Sequence, residues 1–549
     1  MRRTKGWMVL GLSGAILTAC GKSPPPIDSG QAVPGAARAI NLEQGWSQDD
    51  QDRAWFASFG SRLMPLAWLQ HLEQADAQAL FVSDANMSAL GFLPQTATTN
   101  NPSGFPVGFT RDTDDKGREW AGLGCAACHT GQVNYKNTQM RIDGGQALID
   151  FNGFEAALIE SLSATVSDRA KFDRFAQALG VQGDDRQALE NEIVALTETL
   201  DSRHRMNATP VPYGFGRLDA FGQIFNAVAV EFLGIPENKR TPDAPVSYPV
   251  MWDASHLDVV QWNGSAPNAG PGPLLQNVTT AMAVYGSLDV AGHDGRAGYP
   301  SNVDFGKLGE IQNWFYKLKA PQWPVQVLGA LDPQRLARGS ALYVQQCASC
   351  HQLSDRNDPK RQLKATLTPL ADVGTDPRMA QNFLASKSST GVFQGRKEGV
   401  FVGDKFGAQA QTSDLVVHAA VGAALRHPVV ATRDALLSYH EVIKATIDKN
   451  PDYYKARPLS GIWASAPYLH NGSVPTLAEL LKAPGERVAS FDVGSREFDP
   501  EAVGLDSAAG TRRSVFDTTL PGNSNAGHSY GTTLAAEQKR DLLEYLKSL

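Results

Sequence analysis

Apolar residues recur at helical spacing over much of this 549-residue chain. Trp55, Phe56, Leu63, Met64, Leu66, Trp68 and Leu69 share a face and predict a helical layer, with His71 at its polar rim. The stretch 151–165 reads as another helix, and the polar, helix-favouring stretch 184–200 as a surface helix. The segment from Tyr213 to Phe221 continues helically through Phe225 and Val230. Met140 to Gly145 predicts a short strand and turn, whereas 94–120, with Asn101-Pro102 and Gly104, reads as loop. Near the middle, Pro321 to Pro324 marks a boundary. Beyond it lies a helix over 333–346 with Asp332 as N-cap and Pro333 as first helical residue, placing Gly339, Tyr343 and Cys347 on one face. A last helix over 535–549 carries Leu542, Leu543, Tyr545, Leu546 and Leu549.

Composition adds little until the first residues are considered. The apolar and charged fractions are those of a soluble globular protein, and the length calls for two or three domains. Arg2, Arg3 and Lys5 precede a mostly apolar run, 6–18, too short to span a bilayer, so 1–19 reads as an export signal. Its end, Leu17-Thr18-Ala19-Cys20, resembles the bacterial lipobox, in which the cysteine is lipidated; the alternative is an ordinary signal peptide cut nearby. By the same resemblance Lys22 allows sorting to the outer membrane, so the protein is expected on the periplasmic side, lipid-anchored, or secreted. Pro24, Pro25, Pro26 and Pro34 make 20–45 a flexible tether, with order beginning near Trp46. Removing 1–19 takes away three positive charges, moving the net charge from −7 to −10 and leaving nothing to attract nucleic acid. The membrane is reached only through the lipid.

The chemistry lies in two repeats of one motif. Cys125-Ala126-Ala127-Cys128-His129 and Cys347-Ala348-Ser349-Cys350-His351 together use every cysteine beyond Cys20. C-x-x-C-H is the attachment signature of c-type haem: two sulfurs form thioethers to one porphyrin, and the adjacent histidine lies under the iron. A zinc knuckle would need its other ligands close by, and a redox dithiol would not call for histidine after both second cysteines. Two covalent haem c groups are expected. Asp112, Asp114 and Asp115 offer oxygen ligands suited to calcium, or a solvated acidic loop. Arg217 offers a propionate clamp, or an internal pair with Asp219.

The helix before the second motif and the terminal helix resemble the crossed pair of a class I cytochrome c. Gln346 to His351, Val373-Gly374-Thr375-Asp376-Pro377, the block from Pro458 to Ser473 and Gly527-His528 resemble the bacterial diheme cytochrome c peroxidase superfamily, which includes MauG and the RoxA-type rubber oxygenases. Leu93-Pro94-Gln95, Pro106 to Phe109 and Trp252-Asp253 through Gln261 look like the RoxA-type branch. The resemblance implies a mainly α fold: two cytochrome c-type haem domains with large loop-rich insertions, an N-terminal one over 46–325 and a C-terminal one over 326–549. It further implies two unequal haems, with an open, reactive one at His129 and a six-coordinate, electron-transfer one at His351. Trp252 matches the relay tryptophan between them, with Trp262 as fallback, and Gln261 matches a pocket glutamine.

Met379 is the only methionine after His351, and it sits in the 375–377 loop, so methionine ligation of the second iron is disfavoured. His528 and His470 lead as sixth ligand, with Tyr468 behind; His528 is preferred because Gly527 lets backbone approach a haem edge. Around the first motif only His204 and His256 suggest themselves as distal ligands. Peroxidase members carry a glutamate soon after the relay tryptophan as acid and base. From Asn238 to Gly309 this chain has none. The expected function is a cytochrome c peroxidase-like oxidoreductase that activates peroxide or dioxygen at the first haem. Alternatives are a RoxA-like dioxygenase cleaving an organic, polyisoprenoid-like substrate, and an electron-transfer cytochrome without catalysis. The expected partner is a small electron donor, cytochrome or cupredoxin, or a small oxidant.

Overall fold

A computed structural model describes residues 39–268, 270, 272–427, 452–507 and 514–549. The signal segment, Cys20 and most of the tether lie outside the described residues. Ala39–Leu549 forms one compact unit. Chain pairing already begins at Ile40–Asn41, within the stretch expected to be tether, where it lies parallel to Thr138–Asp143.

The expectation of a mainly α fold needs correction. The described residues are 40% helical and 15% strand and form eight sheets of two or three strands. Most of these strands are two to six residues long, too short to show a period in the sequence. Two three-stranded sheets bracket the first motif. In one, Glu119–Leu123 pairs antiparallel with both Met64–Pro65 and Phe109–Thr113, so the second half of the segment read as loop contains one whole strand and the start of another. In the other, Thr130–Tyr135 pairs antiparallel with Thr138–Asp143. Between them Cys125–Cys128 makes a single helical turn. The strand at Met64–Pro65 also divides the expected helical layer into Gln48–Phe56 and Leu66–His71.

The longer helices follow their apolar stripes. Phe151–Ser167 and Asp185–Met206 pack on each other in the N-terminal half. Pro333–Gln346 starts where Asp332 accepts from the backbone N–H groups of Gln334 and Arg335, satisfying donors that a helix start otherwise leaves bare. It crosses the terminal helix Ala536–Lys547 at Gly339, where a Cβ would run into the Asp541 carbonyl oxygen. Arg338 reaches across to Asp541 with two bonds of 2.7 and 2.8 Å, and the Tyr343 ring lies tilted against that of Tyr545, 5.4 Å away. The largest apolar core runs from Phe59 to Leu546 and includes Trp252, Trp323, Tyr343 and Trp463. A second core, from Leu63 to Tyr285, lies against the first motif and includes Ala127.

Candidate functional site

Both motif histidines are oriented in the same way. His129 Nδ1 lies 2.9 Å from the Pro249 carbonyl oxygen, and His351 Nδ1 lies 2.7 Å from that of Arg457. A carbonyl partner fixes Nδ1 as the protonated nitrogen and leaves Nε2 with its lone pair for a metal. Burial enforces the neutral form: it presses the His129 pKa down to about 4 and lowers that of His351. The cysteines are unpaired, and burial raises the thiols of Cys125 and Cys128 to about 12.

The two sites differ in what stands opposite the histidine. His528 faces His351 with ring centroids 6.3 Å apart. Two bonds of about 2 Å to one metal, plus about 1 Å from each nitrogen to its ring centre, give a separation of roughly 6 Å. His528 has φ +46° and is held by its backbone N–H on the Val373 carbonyl oxygen. A Cβ on the preceding Gly527 would collide with Gly374 and Thr375 backbone, so glycine is what lets this loop bring His528 opposite His351. The Val373–Pro377 and Gly527–His528 segments are therefore neighbours. His528 Nδ1 is buried without a partner, whereas Nδ1 of His351 has its carbonyl oxygen. Among the described residues no histidine ring faces His129 in this way; the aromatic ring beside it is Tyr248, at 6.4 Å.

The other histidine candidates are engaged elsewhere. His470 lies 4.2 Å from the Tyr454 ring and edge-on to Trp262, and burial drives its pKa down to about 3. Between pH 6.5 and about 3 the unfolded chain takes up a proton that the folded His470 refuses, so its contribution to stability falls as pH falls. His470→Phe is expected to narrow the gap between the melting temperatures measured near neutral pH and at about pH 4; an unchanged gap would refute this. Tyr468 donates to the Val503 carbonyl oxygen at 3.0 Å. His204 pairs with Glu155, and both ring nitrogens of His256 face carbonyl oxygens, those of Arg361 and Tyr316.

Trp252 is fully buried. Its indole N–H donates to the Ser460 carbonyl oxygen at 2.8 Å. Pro249, which holds His129, precedes it by three residues, and Arg457, which holds His351, precedes Ser460 by three. One short path of covalent and hydrogen bonds thus joins the two histidines through Trp252. A buried ion pair fastens it: Arg361 donates to Asp253 at 2.9 Å and to the Trp252 carbonyl oxygen at 2.7 Å. Gln261, at φ +68°, turns the hairpin between Val259–Val260 and Ala266–Pro267; Trp262 donates to the Ser247 carbonyl oxygen.

The guanidinium of Arg217 is engaged by the protein itself. Arg217 is buried and gives its N–H groups to the carbonyl oxygen of Tyr213, the Asn523 side chain and the Asn471 carbonyl oxygen, over the Phe516 ring. Asp219 is not its partner and instead accepts from the backbone of Gly222 and Ala244. The residues that do fit haem carboxylates are Lys455 and Arg457, whose side chains have no hydrogen-bond or ion-pair partner among the described residues. Burial presses Lys455 to about 7 and Arg457 to about 10. A carboxylate beside them would relieve that cost. The calcium expectation is also corrected: Asp114 accepts from Trp120 and from the backbone of Lys116 and Arg118, Asp112 pairs with Arg62, and no metal-holding cluster occurs among the described residues. Among those residues no helix is long and apolar enough to cross a membrane.

Comparison with known proteins agrees with the chemistry of this site. Residues 453–492, which include Lys455, Arg457 and His470, match the RoxA-like, cytochrome c-like family. The uncharacterized protein y4iJ of Sinorhizobium fredii is 31% identical over 576 residues, covering 92% of this chain and 93% of its own length. A second uncharacterized protein of that organism, y4iM, is 26% identical over 339 residues, 57% of this chain and 67% of its own. A cytochrome c-like domain implies covalently bound haem c, and the residues present fit it.

Proposed function

The chain belongs to the family of the Sinorhizobium fredii protein y4iJ and carries a RoxA-like, cytochrome c-like domain; from that premise we propose that it is a dihaem c-type oxidoreductase with one open and one closed haem site. Haem c supplies redox-active iron, able to exchange single electrons and, where a face is free, to bind a small oxidant. The carrying observation is the asymmetry of the two histidines: His528 stands opposite His351, and no described histidine stands opposite His129.

In this reading Cys125 and Cys128 would attach the first haem and His129 would ligate it. Cys347 and Cys350 attach the second, which His351 and His528 hold closed for electron transfer. Lys455 and Arg457 bind its carboxylates. Trp252 carries electrons between the sites, and peroxide or dioxygen reacts at the first. Peroxide reduction fed by a small cytochrome or cupredoxin is the leading version. Oxygenation of an organic substrate is the second, favoured by the lack of glutamate from Asn238 to Gly309. The protein is exported and held on the periplasmic side by a lipid on Cys20.

Two measurements test this. A pyridine haemochrome assay is expected to give two haems per chain, and a cyanide titration of the ferric protein is expected to saturate at one ligand per chain. Saturation at none would leave a pure electron carrier, and saturation at two would remove the closed site. Stoichiometric peroxide against dioxygen, followed by absorbance, then separates the two versions.

A further inference from the structure

The window after Trp252 lacks a glutamate in sequence, yet the fold brings one to it. Tyr285 donates its hydroxyl to Glu155 Oε1 at 2.8 Å, and the other carboxylate oxygen lies 3.3 Å from His204 Nδ1. Glu155 comes from the helix Phe151–Ser167 and His204 from Asp185–Met206, so two helices converge on one phenol. Tyr285 and Glu155 are buried, whereas His204 is partly open to solvent. The phenol is set with unusual care: Tyr285 holds φ +55°, its carbonyl oxygen accepts from the Arg62 backbone, and the Arg203 guanidinium lies 5.2 Å from its ring centre. It belongs to the same apolar cluster as Ala127, and Cys128, a thioether position of the first haem, packs against that cluster.

We propose that Tyr285 is a redox-active tyrosine of the first haem site and that Glu155 is its proton acceptor. The proposal rests on the reading of an open first haem. A buried phenol loses an electron readily only if its proton leaves at the same time, because a phenol radical cation next to the Arg203 charge is strongly disfavoured. Here the O–H bond breaks as one electron passes to the oxidising equivalent that hydrogen peroxide leaves at the haem. The proton moves along the existing 2.8 Å hydrogen bond to Glu155, giving a neutral tyrosyl radical and a carboxylic acid. An external one-electron donor then restores the phenol, and Glu155 returns the proton. His204, on the solvent side of the carboxylate, positions it and exchanges protons with water.

The test is electron paramagnetic resonance of the ferric holoprotein frozen after one equivalent of hydrogen peroxide. A tyrosyl signal is expected that narrows when the protein is grown on ring-deuterated tyrosine. In Tyr285→Phe it should fall at least tenfold with the haem absorbance of the resting protein unchanged, and in Glu155→Gln, which keeps an acceptor oxygen but not a base, it should form at least ten times more slowly. The same signal in the same yield from Tyr285→Phe would overturn the proposal, as would haem oxidation by peroxide with no tyrosyl signal in the wild type. If peroxide leaves the haem spectrum unchanged, it is the peroxide reading that fails. Tyr285 is then judged by the same comparison with photogenerated ruthenium(III) tris-bipyridine as oxidant.

Discussion

His528→Gly is expected to open the second haem site. The imidazole 6.3 Å from His351 disappears while the loop that carries it keeps its shape, because His528 sits at a positive φ that glycine adopts without strain. The low-spin signal of one haem should give way to a high-spin one, and the cyanide titration should rise from one ligand per chain to two. Added imidazole should restore the low-spin spectrum, since the cavity left has the shape of the missing ring. A variant that stays low-spin would show that another side chain, His470 first among them, is the ligand. Gly527→Ala should produce a related change by a different route: its Cβ displaces the loop from Gly374 and carries His528 with it.

Arg361→Met should be the most destabilising single change around Trp252. It strands the Asp253 carboxylate in a buried site where Oδ2 already lacks a partner. Breaking a buried pair in this way costs about 3–5 kcal/mol. It also removes the bonds from Arg361 to the carbonyl oxygens of Trp252 and Leu318, so the relay segment loosens. The double variant Arg361→Met with Asp253→Asn should recover part of the loss, because the charge left without a partner is then gone. Denaturant midpoints of the wild type, both single variants and the double variant check this. If the single changes simply add, the pair contributes nothing as a pair.

How far such features can be read from sequence depends on how locally they are encoded. The helix Pro333–Gln346 is legible to the residue because its cap, Asp332, and its stripe lie within one stretch. The strands Phe109–Thr113 and Glu119–Leu123 are not, since five residues flanked by turn formers carry no clear period. The motif histidines are legible from chemistry, but their carbonyl partners are not, as any residue supplies a carbonyl. Lys455 and Arg457 leave a faint trace: they alternate with Tyr454 and Ala456 just before Pro458, one cation in the strand Tyr453–Ala456 and the other directly after it. Asp253 with Arg361 and Glu155 with Tyr285 leave none, being 108 and 130 residues apart. The choice between His528 and His470 turns on Gly527, whose contact with Gly374 supplies the physical reason for a glycine there.

The path from His129 through Pro249, Trp252 and Ser460 to Arg457 and His351 has a mechanical consequence. A hinge between the two halves of the chain would have to break the indole hydrogen bond and the Arg361–Asp253 pair together, and tear a core that runs from Phe59 to Leu546. The spacing between the two motif histidines is therefore a constant of the fold. In the proposed dihaem protein, electron exchange would then proceed at one fixed tunnelling distance, with no conformational gate to open first.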